Sequence, residues 1–275
     1  MHPKLSIIIL NYKTRGLLKQ CLRGLQFLSF PFSMEIIVVD NYSNDGSVEM
    51  VRTEFPQVRL VASSRNGGFS YGMNLGIREA RGAHLLLLNT DIILLDEAIT
   101  RMVVFMETHA DVGLSAPRLI NPDGSVQYSC MEFPAWYIPF LRRTFLGKLP
   151  FAKRALEKYL LLEMDHEKNQ EVDWVLGAAM MLSRSTLNRV GLLDERFFLY
   201  FEDTDFCWRI WEAGYRVVYL ADAEMVHYHK SESATSPGLQ GAFLNYITRI
   251  HIRSFLKYLR KHRGETRPHH RARPQ

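Results

Sequence analysis

The sequence predicts an α/β protein: a mostly parallel sheet flanked by helices, with a further C-terminal helix. Three observations carry this. Short apolar runs recur at 5–10, 35–40, 58–62 and 85–88, and the Ile, Val and Leu in them suit strands buried on both faces. Segments of helical spacing separate the runs, which is the alternation of βαβ units. Polar residues close the runs: Asn11, Asp40, Asn66 just past the third, and Asn89 with Asp91. In parallel sheets ligands bind beyond the carboxyl ends of the strands, so these residues are expected along one edge.

Each element has its own grounds. Residues 15–27 place Leu17, Leu18, Cys21, Leu22 and Leu25 at helical spacing. Residues 41–47 (Asn, Tyr, Ser, Asn, Asp, Gly, Ser) are turn chemistry and lead into a helix over 48–55. Asn66-Gly67-Gly68 opens a loop before a helix over 71–80, and a further helix is expected over 97–109. The stretch 128–171 is long, aromatic and basic, and is expected to form loops with one or two helices. Residues 172–182 read as one strand. Residues 197–211 run from aromatics into a helix that ends near Gly214. Strands follow at 217–220 and 224–229, then a helix over 239–261. The polar, basic last dozen residues are expected to be disordered.

The composition of the 275 residues, 47% hydrophobic and 23% charged, excludes a disordered chain, a collagen-like repeat and a disulfide scaffold. The formal charge of +5 is concentrated in a tail. Residues 249–275 hold nine Lys/Arg against one acid, Glu265, leaving the rest of the chain at −3. Cys21, Cys130 and Cys207 are odd in number and far apart, which points to a reducing compartment, the cytoplasm. The apolar run at 5–10 is too short for a signal peptide, and no run approaches a membrane span.

Five groups of residues can carry chemistry. Asp91, in Asn89-Thr90-Asp91, can hold a divalent cation that in turn holds a diphosphate; the same tripeptide also suits a polar turn. Asp40, followed by Asn41, Ser43, Asp45 and Gly46, can accept from a nucleotide base or ribose, or can start the next helix through an Asx turn. Asn66-Gly67-Gly68-Phe69, with Gly72, Asn74 and Gly76, lets backbone approach a ligand, or forms a loop-to-helix junction. In 198–209, Glu202, Asp203 and Asp205 put three acids in four residues after a run of aromatics. One of them suits a general base; helix capping explains Asp203 or Asp205 alone. His227 and His229 follow a strand, and His227 can complete a metal site with Asp91 or be an ordinary core histidine.

In their order and spacing these motifs resemble glycosyltransferase family 2, in its bacterial rhamnosyltransferase-like branch. The resemblance runs from Leu5 to Ser233. It includes Ser6-Ile7-Ile8-Ile9-Leu10-Asn11-Tyr12, Val39-Asp40-Asn41, the 66–76 run, and Asn89-Thr90-Asp91 in the place of a DxD motif. It continues through Trp174-x-x-Gly177-Ala178, the acidic segment and His227.

The resemblance implies the GT-A fold and an inverting transfer of sugar from a nucleotide-diphospho donor to an acceptor hydroxyl. Residues 1–235 would form the transferase domain, with a nucleotide-sugar half at 1–110 and an acceptor and catalytic half at 111–235. Residues 236–275 would be a C-terminal helix and basic tail. Asp203 would be the base, supported by Glu202 and Asp205. Asn11, Tyr12, Asp40, Asn41, Asn66, Gly68, Asn74, Asn89 and Thr90 would line the donor pocket, with Trp174 and Gly177 near sugar or acceptor. Arg209 would add positive charge near the diphosphate. Asp91 and His227 would hold Mg²⁺ or Mn²⁺. Asn89 stands where the motif has its first Asp, which removes one anionic ligand.

The branch implies dTDP-rhamnose as donor, a UDP-hexose or galactofuranose donor being the alternative, and a saccharide or polyprenyl-linked acceptor in cell-surface polysaccharide or glycolipid synthesis. A non-catalytic nucleotide-sugar binder would need neither Asp203 nor Asp91. A nucleotidyltransferase would carry a Gly-rich basic loop after the first strand, which Asn11-Tyr12-Lys13-Thr14-Arg15-Gly16 matches poorly. Aromatic and basic residues at 133–154 and 239–273 suit peripheral contact with the inner face of an anionic membrane. A nucleic-acid partner is not expected.

Overall fold

The computed structural model describes residues 2–95, 97–228 and 246–268. Strands β1 (Leu5–Asn11), β2 (Met34–Asp40), β3 (Arg59–Ala62) and β4 (His84–Asn89) alternate with helices α1 (Arg15–Phe27), α2 (Ser47–Glu54) and α3 (Phe69–Glu79). All four strands are parallel, as the alternation predicts, and they lie in the order β3-β2-β1-β4. Successive side chains of a strand enter opposite cores. Ile8, Ile37, Leu85 and Leu87 face one, while Ile7, Ile9, Leu86 and Leu88 face the other. This is why the runs are continuously apolar rather than alternating. Register aligns Asn11 with Asp40 and Leu10 with Asn89, so the polar strand ends lie side by side.

Helix α3 lies close on this sheet because of its glycines. A Cβ on Gly76 would stand 2.4 Å from Ile8 Cγ2 and 2.9 Å from Val39 Cγ2. The apolar strand interiors thus reach the helix backbone, and the start of α3 is fixed against the ends of β1 and β2.

Beyond β4 come β5 (Ile92–Leu94), α4 (Ala98–Thr108), β6 (Val112–Ile120), β7 (Cys130–Met131) and α5 (Ile138–Arg143). A 3₁₀ turn (Phe145–Lys148), α6 (Pro150–Tyr159), β8 (Gln170–Glu171), β9 (Trp174–Val175), β10 (Ala179–Ser183) and α7 (Arg184–Val190) follow. The described chain ends with α8 (Glu202–Glu212), β11 (Arg216–His227) and α9 (Tyr246–Lys261). The sheet continues β4-β10-β6-β11-β5, with β10 antiparallel to both neighbours and β8 on β11; β7 and β9 form a separate pair. Mostly parallel at its nucleus and flanked by helices, this is the fold class the sequence predicts.

Several details differ from the sequence reading, among them β5, β7, β8 and α7, which it does not contain. The strand expected over 172–182 is two. The chain leaves β9 at Leu176, whose N–H donates to Ser129 O (2.8 Å), and rejoins the main sheet where Ala178 O accepts from Asn89 N (2.9 Å). The strands expected at 217–220 and 224–229 are one, β11, with a bulge between Leu220 and Glu224. Strand β6 has no counterpart in the sequence reading, because Ser115, Pro117 and Arg118 break its apolar run. Pro117 is tolerated because β10 pairs only with Leu114 and Ser115.

Helix α9 falls within the predicted 239–261. It buries Ile250, Ser254, Phe255 and Tyr258 against the fold. Phe255 and Tyr258 stack on Phe201 at 5.3 and 5.5 Å, and Tyr258 meets Trp208 at 6.2 Å. Arg267, in the stretch expected to be disordered, donates to Phe133 O (2.8 Å) and pairs with Glu132 (3.2 Å). Residues 229–245 and 269–275, which include His229 and Ser233, lie outside the described residues.

Candidate active site

The site is built at the carboxyl edge of β1, β2 and β4. Asn11 and Asp40 are buried. Asn11 Nδ2 donates to Asp40 Oδ2 (2.7 Å) and Ser43 Oγ (3.0 Å), while Asp40 Oδ1 accepts from Ser43 N (3.0 Å). Thr14 Oγ1 donates to Asn11 Oδ1 (2.8 Å) and lies 2.9 Å from Thr90 Oγ1. Strand ends distant in sequence are thereby locked together by polar groups that burial forces to pair. Tyr12 stands out from this layer, 42% exposed. A hydrogen bond with the Asn66 side chain, and Lys13 beside it, hold its phenol below the usual value.

Asn41 extends the layer to the glycine loop. Its Nδ2 donates to Asn66 Oδ1 (3.0 Å) and Gly68 O (3.1 Å), and its Oδ1 accepts from Gly67 N (3.2 Å). Gly68 needs to be glycine twice over. Its φ is +88°, and a Cβ there would lie 2.2 Å from Phe198 O. Phe69 N donates to that same carbonyl at 2.7 Å, so the loop grips the acidic segment.

The acidic segment enters α8 through Tyr200 and Phe201, both at φ +68°. Two successive non-glycine residues in the left-handed region are strained, and packing of Phe201 on α9 holds them there. Asp203 follows, buried in the first turn of α8. Its Oδ2 accepts from Gly177 N (3.0 Å) and its Oδ1 from Thr204 N (2.7 Å). Burial nevertheless raises its carboxyl above the usual value, against these bonds. That is the direction a general base needs.

Glu202 is buried as well, and its Oε2 has no hydrogen-bond partner among the described residues. Burial, then repulsion from Asp203 and Asp205, pushes its carboxyl well above the ordinary range. A raised folded-state value means that the contribution of Glu202 to stability is whole below its unfolded value, near 4.3, and is lost as pH rises through the folded value. Glu202→Gln is therefore expected to stabilise the protein by ~1–3 kcal/mol at neutral pH and not at all at pH ~4. Urea unfolding at the two pH values checks this.

Asp205 differs from both. It is fully buried, and Arg209 Nε (3.0 Å), Lys261 Nζ (2.6 Å) and His262 Nε2 (2.9 Å) surround it. Burial alone would raise its carboxyl, but His262, Arg209 and Lys261 bring it below the usual value. Arg209, expected near the diphosphate, is instead turned into the scaffold: Nη1 donates to Val190 O (2.9 Å) and Nη2 to Leu192 O (3.0 Å). Asn74, expected in the donor pocket, spends its amide on Leu193 and Glu195. Trp174 is buried with Nε1 donating to Glu132 O (2.8 Å), and Gly177 is the residue that touches Asp203.

Asp91, just before β5, and His227 meet where β5 pairs with β11, His227 Nε2 standing 3.4 Å from Asp91 Oδ2. Asp91 Oδ1 is buried without a hydrogen-bond partner among the described residues. His227 Nδ1 lies 2.7 Å from Gln127 Oε1. With Gln127 Oε1 as acceptor, Nδ1 carries the proton and Nε2 is the lone-pair nitrogen toward Asp91, the orientation a second-shell partner gives a metal ligand. Among the described residues no group of three or more His, Cys, Asp or Glu converges as a metal cluster. A carboxylate and an imidazole with an orphaned oxygen therefore fit a divalent cation that completes its shell with substrate phosphates. The three cysteines are buried free thiols, and burial pushes Cys21 and Cys130 up to about 12, so none is a nucleophile.

Gln127, Thr14, Lys261 and His262 were not among the expected site residues. Gln127 lies outside any periodic segment, and Lys261 and His262 read only as part of a charged tail.

The polar layer at the carboxyl ends of parallel strands stands where α/β proteins of this kind bind their ligands. Residues 6–189 match Glycosyl transferase family 2, and residues 132–259 match Glycosyl transferase family group 2. The first match spans about two thirds of the chain, which belongs to glycosyl transferase family 2. The chain is 26% identical over 247 residues to the N-acetylglucosaminyl-diphospho-decaprenol L-rhamnosyltransferase of Mycobacterium tuberculosis, covering 85% of this chain and 78% of that protein. It is 23% identical over 230 residues to the dTDP-rhamnosyl transferase RfbF of Shigella flexneri, covering 82% and 71%. The fold is that of GalNAc-T7, solved with UDP, GalNAc and Mn²⁺, at a TM-score of 0.66 and 13% identity, covering 94% of this chain and 48% of that one. Among the described residues no helix is long and apolar enough to cross a membrane.

Proposed function

We propose that the protein is an inverting, metal-dependent rhamnosyltransferase that uses dTDP-rhamnose and acts on a saccharide or polyprenyl-linked acceptor in cell-surface polysaccharide or glycolipid synthesis. The observation that carries the chemistry is Asp203, buried, raised by that burial, and fixed by Gly177 N–H beside the glycine loop. The two rhamnosyltransferase relatives support the donor.

In this reading Asp203 takes the proton of the acceptor hydroxyl as that oxygen attacks the anomeric carbon. The bond from that carbon to the diphosphate oxygen breaks, and the electron pair leaves with the nucleoside diphosphate. Asp91 and His227 would hold Mg²⁺ or Mn²⁺, which stabilises the charge developing on the diphosphate. Asn11, Asp40, Asn41, Asn66 and Thr90 form the floor beneath the nucleotide, with Tyr12 projecting from it. Much of their hydrogen bonding is internal, so they act chiefly by holding the pocket's shape.

A thermal-shift series with dTDP, UDP and their sugars, with and without Mn²⁺, tests the reading. A ligand at ~100 times its Kd adds ~2.7 kcal/mol of stability. The expected result is Mn²⁺-dependent stabilisation, greatest for dTDP compounds and lost in Asp91→Ala. Equal shifts with and without metal would remove Asp91 and His227 from the site, and a preference for UDP would move the donor to the hexose alternative.

A further inference from the structure

The aromatic, basic stretch after β7 is not used by the site described above. Residues 133–156 hold Arg142, Arg143, Lys148, Lys153 and Arg154 and no acid at all. In the structure α5, the 3₁₀ turn and α6 pack on one another, with Ile138, Ala152 and Tyr159 buried beneath them. The largest aromatics point the other way. Trp136 is 69% exposed, Phe140 65% and Phe151 69%, and Leu146 and Leu149 are exposed with them. Scattered single apolar residues are normal on a protein surface, but a concentration of this size within one short unit marks an interaction surface.

The chemistry of the unit selects the partner. Arg142, Lys148, Lys153 and Arg154 are all exposed around the aromatics. Only Lys153 has an acidic neighbour on the unit, Glu157 at 3.7 Å, and so open a pair contributes little. Aromatic side chains that end a basic surface match the headgroup boundary of an anionic bilayer: the rings enter the interface and the cations meet the phosphates. A second copy of this chain is a poorer match, because a two-fold interface would set a surface of net positive charge against itself. The C-terminal helix, expected from sequence to share this role, buries one face on the acidic segment and leaves Tyr246, Ile252 and Leu256 exposed.

We infer that the α5–α6 unit is the surface by which the protein docks on an anionic lipid membrane, through Trp136, Phe140 and Phe151 and the surrounding Lys and Arg. This rests on the surface alone and is independent of which sugar is transferred.

Sedimentation of the full chain with phosphatidylcholine vesicles, with and without phosphatidylglycerol, tests it. Binding is expected only to the phosphatidylglycerol vesicles, weakening as salt rises. Neutralising Lys148 and Lys153 to Gln is expected to cost about five-fold each, about 25-fold together. Trp136→Ser with Phe140→Ser and Phe151→Ser is expected to remove binding. The thermal unfolding of this variant should match the parent, because these side chains are mostly in water already. Metal-dependent donor hydrolysis without vesicles should also be unchanged, so a failure of lipid binding is seen separately from a failure of the transfer reading. The inference is overturned if the parent does not sediment with anionic vesicles at low salt, or if the triple variant sediments as the parent does. Light scattering that shows a dimer lost in the triple variant, with no vesicle binding in the parent, would overturn it in favour of a second copy.

Discussion

Asp203→Asn is expected to lower the turnover of sugar transfer by ~10²–10⁴-fold, the range over which a positioned base accelerates proton removal from an alcohol. Asn keeps the shape of the side chain, but its single carbonyl oxygen can accept from only one of Gly177 N–H and Thr204 N–H, which bond to different oxygens of Asp203. It also loses the ability to take a proton. Folding should still be preserved, because relief from a buried anion offsets part of the ~1 kcal/mol that the lost hydrogen bond costs. Donor binding should survive too, because the nucleotide floor and the Asp91–His227 pair lie on β1, β2, β4 and β11. Steady-state transfer assays should show the loss in kcat with donor KM near normal. Thermal shifts with dTDP and Mn²⁺ should match those of the parent. Near-normal turnover in Asp203→Asn would remove it as the base. The pH profile gives a further check: a base raised by burial should move the acidic limb of kcat/KM above the range of an ordinary aspartate.

The positions of the first four strands were legible because they depend on local signals. Each strand had to be apolar throughout to sit between two helical layers, and each ended where backbone met solvent or ligand, hence at Asn11, Asp40 and Asn89. Asp203 and Asp91 were legible because buried or edge carboxylates need a reason. The contacts that turn these residues into a site were not legible. Asp91 meets His227 across 136 positions of chain, and the partner of His227 is Gln127, which carries no pattern of its own. The grip of Gly68 on Phe198 O depends on a backbone carbonyl, which any residue supplies. Arg209 illustrates the opposite error. Its charge suggested a phosphate, but four residues after Asp205 on a helix its nearest anion is Asp205. The tail misled for a related reason. Counting charges placed Lys261 in a basic tail and passed over His262, whereas Ile250, Phe255 and Tyr258 carry the helix inward and bring both side chains to a buried acid.

That buried acid supports the second large effect. Asp205→Ala is expected to destabilise the protein by ~3–5 kcal/mol, the cost of removing one partner from a buried charged cluster. Arg209 would lose its carboxylate, and His262 its polar contact with α8, keeping only the Trp208 ring there at 4.6 Å. Lys261 would keep only Asp194, at 2.8 Å. The loss should be reported first by α9, measured as faster proteolysis within 246–268 and a lower urea midpoint. The sign with pH follows from the direction of the shift. Asp205 is held below its usual value, so its stabilisation is present above the unfolded value, near 3.9, and is lost as pH falls through the folded one. Parent and Asp205→Ala should therefore converge in stability in strong acid and diverge above pH ~4. The milder Asp205→Asn separates scaffold from catalysis. If Asp205 acts through the α9 clasp, this variant loses stability while its folded fraction turns over nearly as fast as the parent. A collapse of kcat at full stability would instead return Asp205 to the reacting atoms. Asp203 and Asp205 lie two residues apart on one helical turn, yet their surroundings drive them in opposite directions. Asp203 meets two or three neutral donors in a dry pocket, and Asp205 meets three basic side chains. The first arrangement keeps a carboxylate able to accept a proton; the second keeps one from doing so.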